Sequence, residues 1–110
     1  WNGPVTQVAE PLKVTKAPLN YPNPFSVSSG TLLGYELSQD ADITMHIFDA
    51  KGQLVYTFTF ASGEEGGKSG YNRVSLNSYL WTRGLSPGVY FYILWSGGNV
   101  LARSRMVALP

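Results

Sequence analysis

Two stretches of this 110-residue chain match the letter pattern of active-site loops. Gly84-Leu85-Ser86-Pro87-Gly88 has the G-x-S-x-G spacing of a nucleophile elbow. There a strand-to-helix turn lifts serine above a parallel sheet, and the histidine comes last in chain order. Here a loop leads into a strand and Pro87 suits a turn. The only histidine, His46, lies forty residues upstream of Ser86. Gly63 to Ser69 approaches a phosphate-binding loop, with Gly67-Lys68-Ser69 in place but Ser62 where the first glycine belongs. Glu64 and Glu65 would repel phosphates, and no helix follows to lend its N-terminus. Both stretches are expected to be turns, the second a solvated and mobile one.

Metal and sugar chemistry have weaker claims. His46 alternates with Met45 and Ile47, so it faces away from the core with Thr44 and Phe48, and a zinc site would need further ligands. Asp40, Asp42 and Asp49 flank the two ends of one strand and could bind calcium together with backbone carbonyls. Turn aspartates that bond nearby backbone are the expected alternative, and no cofactor or metal is expected. Tyr71, Tyr79, Trp81 and Trp95 could stack sugar rings, Tyr79 and Trp81 sharing parity in an extended segment. Aromatics of a small sandwich also fill its core.

The elements that must carry these residues follow period two. Leu33 to Leu37, Ile43 to Phe48 and Leu54 to Phe60 alternate as strands, the last with Tyr56, Phe58 and Phe60 on one face. Asp49-Ala50-Lys51-Gly52 reads as a hairpin turn in which Gly52 can take positive φ. Asn72 to Asn77 is a short strand with Val74 and Leu76 on one face. Val89 to Trp95 is nearly all apolar and is expected to be buried on both faces. Ser96-Gly97-Gly98-Asn99 turns the chain into Val100–Leu109, where Arg103 and Arg105 share a face. Prolines at 4, 11 and 18 mark residues 1–18 as a linker or first edge strands, around Val5–Val8 and Leu12–Lys16. Residues 19–110 are then an antiparallel sandwich of about seven strands.

Three stretches, in order, resemble one family. Tyr21-Pro22-Asn23-Pro24-Phe25 resembles its "YPNPF" opening, and Ile43 to Gly52, with Asp49 and Gly52, its "V-x-I-x-I-F/Y-D-x-x-G" hairpin. Leu85 to Tyr92, with Gly88, Tyr90 and Tyr92, resembles its "L-x-x-G-V-Y-F-Y" strand. The family is that of bacterial immunoglobulin-like C-terminal domains, shared by type IX secretion sorting domains and the flagellar hook-capping protein. The hook-cap group carries "W-D-G-x-D-x-x-G" where Val74 to Trp81 here lacks the aspartates. The prolines fix φ and extend their predecessors, which lays Phe25 onto the core. Tyr90, two residues before Tyr92, stands where sandwiches place a tyrosine corner.

Composition agrees with a structural role. Charged residues are 14%, below the ~25% usual in soluble domains, against 44% apolar. Eight basic and seven acidic side chains are too balanced for a nucleic-acid partner. No apolar run approaches the ~18 residues of a membrane span. Without cysteine, disulfides and thiol catalysis are excluded. A chain opening on Trp1 is expected to be part of a longer protein. The resemblance implies a non-catalytic module of a secreted bacterial surface protein, with secretion or attachment machinery or neighbouring domains as partners. A hook-cap-like structural role and glycan binding or adhesion are the alternatives. The expected recognition surface is Gly63, Glu64, Glu65 and Lys68 in the loop and Arg103 and Arg105 on the last strand. Tyr79 and Trp81 are the glycan candidates.

Overall fold

The computed structural model describes residues 11–76 and 85–110. Among them are eight strands: β1 (Val14–Tyr21), β2 (Phe25–Ser26), β3 (Leu32–Leu37), β4 (Ile43–Phe48), β5 (Leu54–Phe60), β6 (Gly70–Ser75), β7 (Gly88–Ser96) and β8 (Asn99–Leu109). One sheet runs β1-β3-β6 and the other β2-β8-β7-β4-β5. Neighbours pair antiparallel throughout, except that β2 lies parallel to β8. The fold is the antiparallel sandwich that the alternation predicts, and two-residue β2 brings the strands to eight.

Alternation decides what enters the core. β4 buries Ile43, Met45 and Ile47 and turns Thr44, His46 and Phe48 outwards. β3 contributes Leu33, Tyr35 and Leu37, and β7 contributes Tyr90, Tyr92 and Leu94, to the same cluster. Each large side chain buried in this way contributes roughly 1.5–3 kcal/mol relative to exposure. Burial pushes the Tyr35 hydroxyl well above the usual tyrosine range and raises the Tyr92 hydroxyl too, which Ser104 opposes.

Four details depart from the sequence reading. First, the edge strand that is one of the two readings of residues 1–18 is longer than the expected Leu12–Lys16 piece: β1 runs on across residues 18 and 19 to Tyr21 and pairs with β3. Pro18 is buried, and an edge strand tolerates it because one side of its backbone has no ladder to feed. The register slips on either side of Lys16. The strand expected at Val5–Val8 lies outside the described residues. Second, β6 starts at Gly70, two residues earlier than expected, and Val74 and Leu76 do face inwards.

Third, β7 is not buried on both faces. It is central in its sheet, between β8 and β4, but a two-layer sandwich covers only one side of each sheet. Val89 and Phe91 therefore remain 38% and 43% exposed while Tyr92 and Leu94 are fully enclosed. The apolar run reflects an apolar outer row, not a second buried face. Fourth, the loop from Ala61 to Ser69 is solvated along Ala61–Glu65, as expected, but it is also anchored by hydrogen bonds that the sequence reading does not include.

Candidate functional site

The three motifs that lie far apart in sequence meet at one end of the sandwich. The Tyr21–Pro22 and Asn23–Pro24 bonds are both cis, and the segment turns the chain from β1 in one sheet to β2 in the other. Asn23 Oδ1 accepts the Val107 N–H at 3.0 Å, and the Thr31 hydroxyl donates to the Pro22 carbonyl at 2.8 Å. Phe25 is buried opposite Ala108, while Tyr21 stands outside. Asp49 shapes the β4–β5 turn, with one carboxylate oxygen accepting the N–H groups of Lys51 and Gln53 at 2.9 and 3.0 Å. Gly52 takes φ 83° there, a value that suits glycine.

At the start of β7, the Tyr90 hydroxyl donates to the Ser86 carbonyl at 2.5 Å, the geometry of a tyrosine corner. Burial raises the Tyr90 pKa, the charge on Asp49 raises it further, and the bond to Ser86 opposes both. Register explains the convergence. Gly88 faces Ala108 and Val89 faces Val107, while Phe48, just before Asp49, faces Phe91. Between the Asp49 turn and the Ser86–Tyr90 segment lies an open groove of about 550 Å³, with Lys51, Gln53, Val55 and Val89 on its walls. Ser86 holds no elbow geometry, because it lies in a turn that leads into a strand. His46 is on the outer face of β4 beside the rings of Phe48 and Trp95, and it faces Ile93, five residues beyond Gly88.

At the opposite end, the Ala61–Ser69 loop folds around Asn72. This asparagine is fully buried. Its Oδ1 accepts the Gly66 and Lys68 N–H groups at 2.8 and 3.2 Å, and its Nδ2 donates to the Lys68 and Gly70 carbonyls at 2.9 and 3.2 Å. The Tyr35 hydroxyl donates to the Gly66 carbonyl at 2.5 Å. Asp40 and Asp42 reach across from the β3–β4 turn to accept the Ser69 and Ser62 N–H groups at 2.6 and 2.8 Å. These aspartates thus bond backbone, though across the loop and not in their own turn. Among the described residues no three acidic, histidine or cysteine side chains cluster as metal ligands.

Within the loop, the Gly63 N–H donates to Gly67, and Glu64 exchanges backbone bonds with Ala61 and Gly67. Glu65 accepts the Arg73 N–H at 2.5 Å and pairs with Lys68 at 2.8 Å. The Lys68 bond, and then the Arg73 N–H, hold the Glu65 carboxyl below the usual range. A phosphate cradle is out of reach, because the loop's amides already point at Asn72, Asp40 and Asp42. Sequence reasoning placed Asn72 at the start of a strand, in a stretch that resembles the family's "aG-x-N/H" approach, but gave its side chain no role. Its signal was an asparagine inside a strand, where that residue is depleted.

The third surface is the outer face of β7 and β8. Arg103 and Arg105 are exposed and face Ile93 and Phe91 across the pair. With those two they line a shallow groove of about 510 Å³. The sugar-stacking set does not form one platform. Tyr71 lies over Gly34 on the outer face of the three-stranded sheet, whereas Trp95 neighbours His46 on the outer face of the other. Tyr79 and Trp81 lie outside the described residues.

No protein-family model matches the chain, and neither does any curated protein. Solved structures do. The alkylpurine DNA glycosylase AlkC of Pseudomonas fluorescens, solved bound to DNA containing an abasic-site analogue, is similar over 90% of this chain, with a TM-score of 0.63 and 14% identity. The chain spans 30% of that glycosylase, so the likeness concerns one part of it. An immunoglobulin-like protein from Pseudomonas aeruginosa is similar over 91% of this chain and 98% of its own length, with a TM-score of 0.54 and 11% identity. At such identities the likeness is one of fold, and that fold is immunoglobulin-like.

Proposed function

We propose that this immunoglobulin-like domain is a non-catalytic recognition module of a secreted bacterial surface protein. Sorting or attachment machinery of the type IX kind reads the folded domain through its surface. The observation that carries this reading is the convergence of the three family-like motifs at one end. Pro22 to Phe25, Asp49 to Gly52 and Ser86 to Tyr90 are separated by up to about seventy residues, yet they gather at one end of the sandwich, the last two around one groove and the first against the end of β8. Each residue type there forms shape: Asn23 joins β8, Asp49 closes a turn, and Tyr90 pins the approach to β7. The letters that imitate enzymes belong to turns of the same kind. What such a module offers a partner is a shaped end, a sheet face and a strand edge.

The test is export. The whole chain, fused behind a reporter enzyme, is expressed in a host with type IX secretion and in the same host with that pathway deleted. Surface or medium activity in the first strain alone is the expected result. A reporter that stays folded and active inside both strains overturns the proposal.

A further inference from the structure

We propose that the outward edge of β8 from Asn99 to Met106 binds an extended acidic peptide as an added strand, its carboxylates facing Arg103 and Arg105. The inference rests on the recognition reading and deepens it by naming the partner's chemistry. Its test uses purified protein, so its failure is separable from a failure of export.

The first support is the edge itself. β8 is the longest strand described, 11 residues without proline or glycine. It pairs with β7 in unbroken register from Gly88–Ala108 to Leu94–Ala102. Among the described residues its other edge is paired only near the C-terminal end, where β2 pairs with Ala108 and Leu109 and Asn23 takes the Val107 N–H. Among the described residues nothing pairs with that edge from Asn99 to Met106. Unpaired strand edges are templates for another strand, and the chain demonstrates this by laying β2 there. The Pro22–Pro24 turn carries the preceding residues to the opposite sheet, so among the described residues no paired strand continues the line of β2 beside the rest of β8, although β1 of that sheet packs near β8.

The second support is charge. Arg103 and Arg105 project from one face about 6.6–6.8 Å apart along the strand, the two-residue repeat of any added β-strand. Among the described residues the ion pairs are Lys16–Glu36 and Lys68–Glu65, on other elements. Among the described residues the outer face of β4, β7 and β8 carries no carboxylate: Asp40, Asp42, Asp49, Glu64 and Glu65 lie in turns and Glu36 in the other sheet. An added strand therefore meets two unpaired guanidiniums at strand spacing, with Phe91 and Ile93 one strand further in. The same pair disfavours a second copy. Antiparallel union of two β8 edges, with both cores on one side, would bring four arginines together, and like charges directly opposite destabilise a sheet. The edge is closed to itself and open to an acidic strand, with backbone bonds giving affinity and the arginines giving selectivity.

The experiment titrates the isotope-labelled full chain with a ten-residue peptide of alternating glutamate and threonine. A lysine–threonine peptide of equal length and polygalacturonate are the other two probes. The acidic peptide is expected to shift the backbone amides of residues 100–106 and slow their hydrogen exchange. It should bind at least about tenfold more tightly than the basic peptide and weaken with added salt. Arg103→Glu with Arg105→Glu should invert that preference. Arg103→Gln with Arg105→Gln should weaken the acidic peptide about three- to tenfold and leave thermal unfolding unchanged. Equal binding of the two peptides overturns the proposal. So does perturbation confined to other residues, or binding of polygalacturonate alone. If the Gln pair merely lets the chain self-associate and no peptide binds, the arginines guard the edge and the proposal is also overturned.

Discussion

The loop around Asn72 and the outer face of β7 and β8 use opposite chemistry. In the loop, polar groups turn inwards: one buried amide holds four backbone groups, and Tyr35, Asp40 and Asp42 hold three more. On the outer face, apolar and cationic groups turn outwards, with Val89, Phe91, Arg103 and Arg105 exposed. A segment rich in glycine and charge looks loose, yet its backbone is held by hydrogen bonds. A segment rich in aromatics looks buried, yet half of it faces water. The difference teaches that composition reports what a segment can do, whereas layer number and partner count decide what it does.

The strongest way to break the contrast is to remove the hub. Asn72→Leu keeps the volume but leaves the Gly66 and Lys68 amides and the Lys68 and Gly70 carbonyls without their partner. Unsatisfied buried groups cost about 1–3 kcal/mol each, less where water enters. A loss of about 3–5 kcal/mol in urea unfolding is expected. If the loss is under about 1 kcal/mol, the loop is ornamental and the comparison collapses. Gly67→Ala comes next, because a Cβ there would collide with the carbonyl oxygens of Ala61 and Ala41. Backbone atoms cannot step aside as a flexible side chain can, so about 2–3 kcal/mol should be lost. Gly52→Ala in the open β4–β5 turn is the control, since its Cβ would meet nothing within 4 Å. Its positive φ alone should cost about 1 kcal/mol.

Tyr35→Phe deletes only a hydroxyl and should cost about 1–2 kcal/mol at pH 7. Its sharper readout is alkaline. Burial, and secondarily the charge on Glu65, raises the Tyr35 pKa in the folded state. An unfolded tyrosine ionises near pH 10 while the folded one keeps its proton. The stability is therefore complete below about pH 10 and is lost as pH rises beyond it, by up to about 1.4 kcal/mol per pH unit. The variant should unfold with a shallower alkaline limb. Glu65 works at the other end of the scale. Its folded pKa is depressed, so its contribution is present at neutral pH and fades as pH falls below the ordinary glutamate range. Identical alkaline limbs in the two proteins would detach Tyr35 from the loop's energetics.

Much of this architecture is readable in the residues themselves. Alternation at Leu33–Leu37 and Ile43–Phe48 marks inner and outer faces correctly, because period two in a half-buried strand leaves little freedom. Turns at Asp49–Gly52 and Ser96–Asn99 are equally plain, since Gly52, Gly97 and Gly98 occupy positive φ. The loop misleads because its anchors are remote: Asp40 is 29 residues from Ser69 and Tyr35 is 31 from Gly66. No local pattern encodes such bonds. The outer face of β7 misleads because a run of apolar residues has no period to break, so it cannot announce that alternate members face water. Of the surfaces, the arginine pair is visible by parity. The free edge beside it is not, since it depends on where the chain leaves β2.

The smallest expected effect belongs to the open face, and there smallness is the informative result. Phe91→Thr replaces a 43% exposed ring with a residue that also favours strands. Only the part of the ring in contact with neighbours is lost, so the change should stay within about 1 kcal/mol. That is well below the cost expected for Asn72→Leu. The same substitution should reduce binding of a hydrophobic dye to the folded protein, because it interrupts the row from Val89 through Phe91 to Ile93, and exposed apolar patches are where such probes bind. A cost above about 2 kcal/mol would mean that Phe91 is packed as a core residue. The two regions would then differ in composition alone, and the face would have no room for a partner.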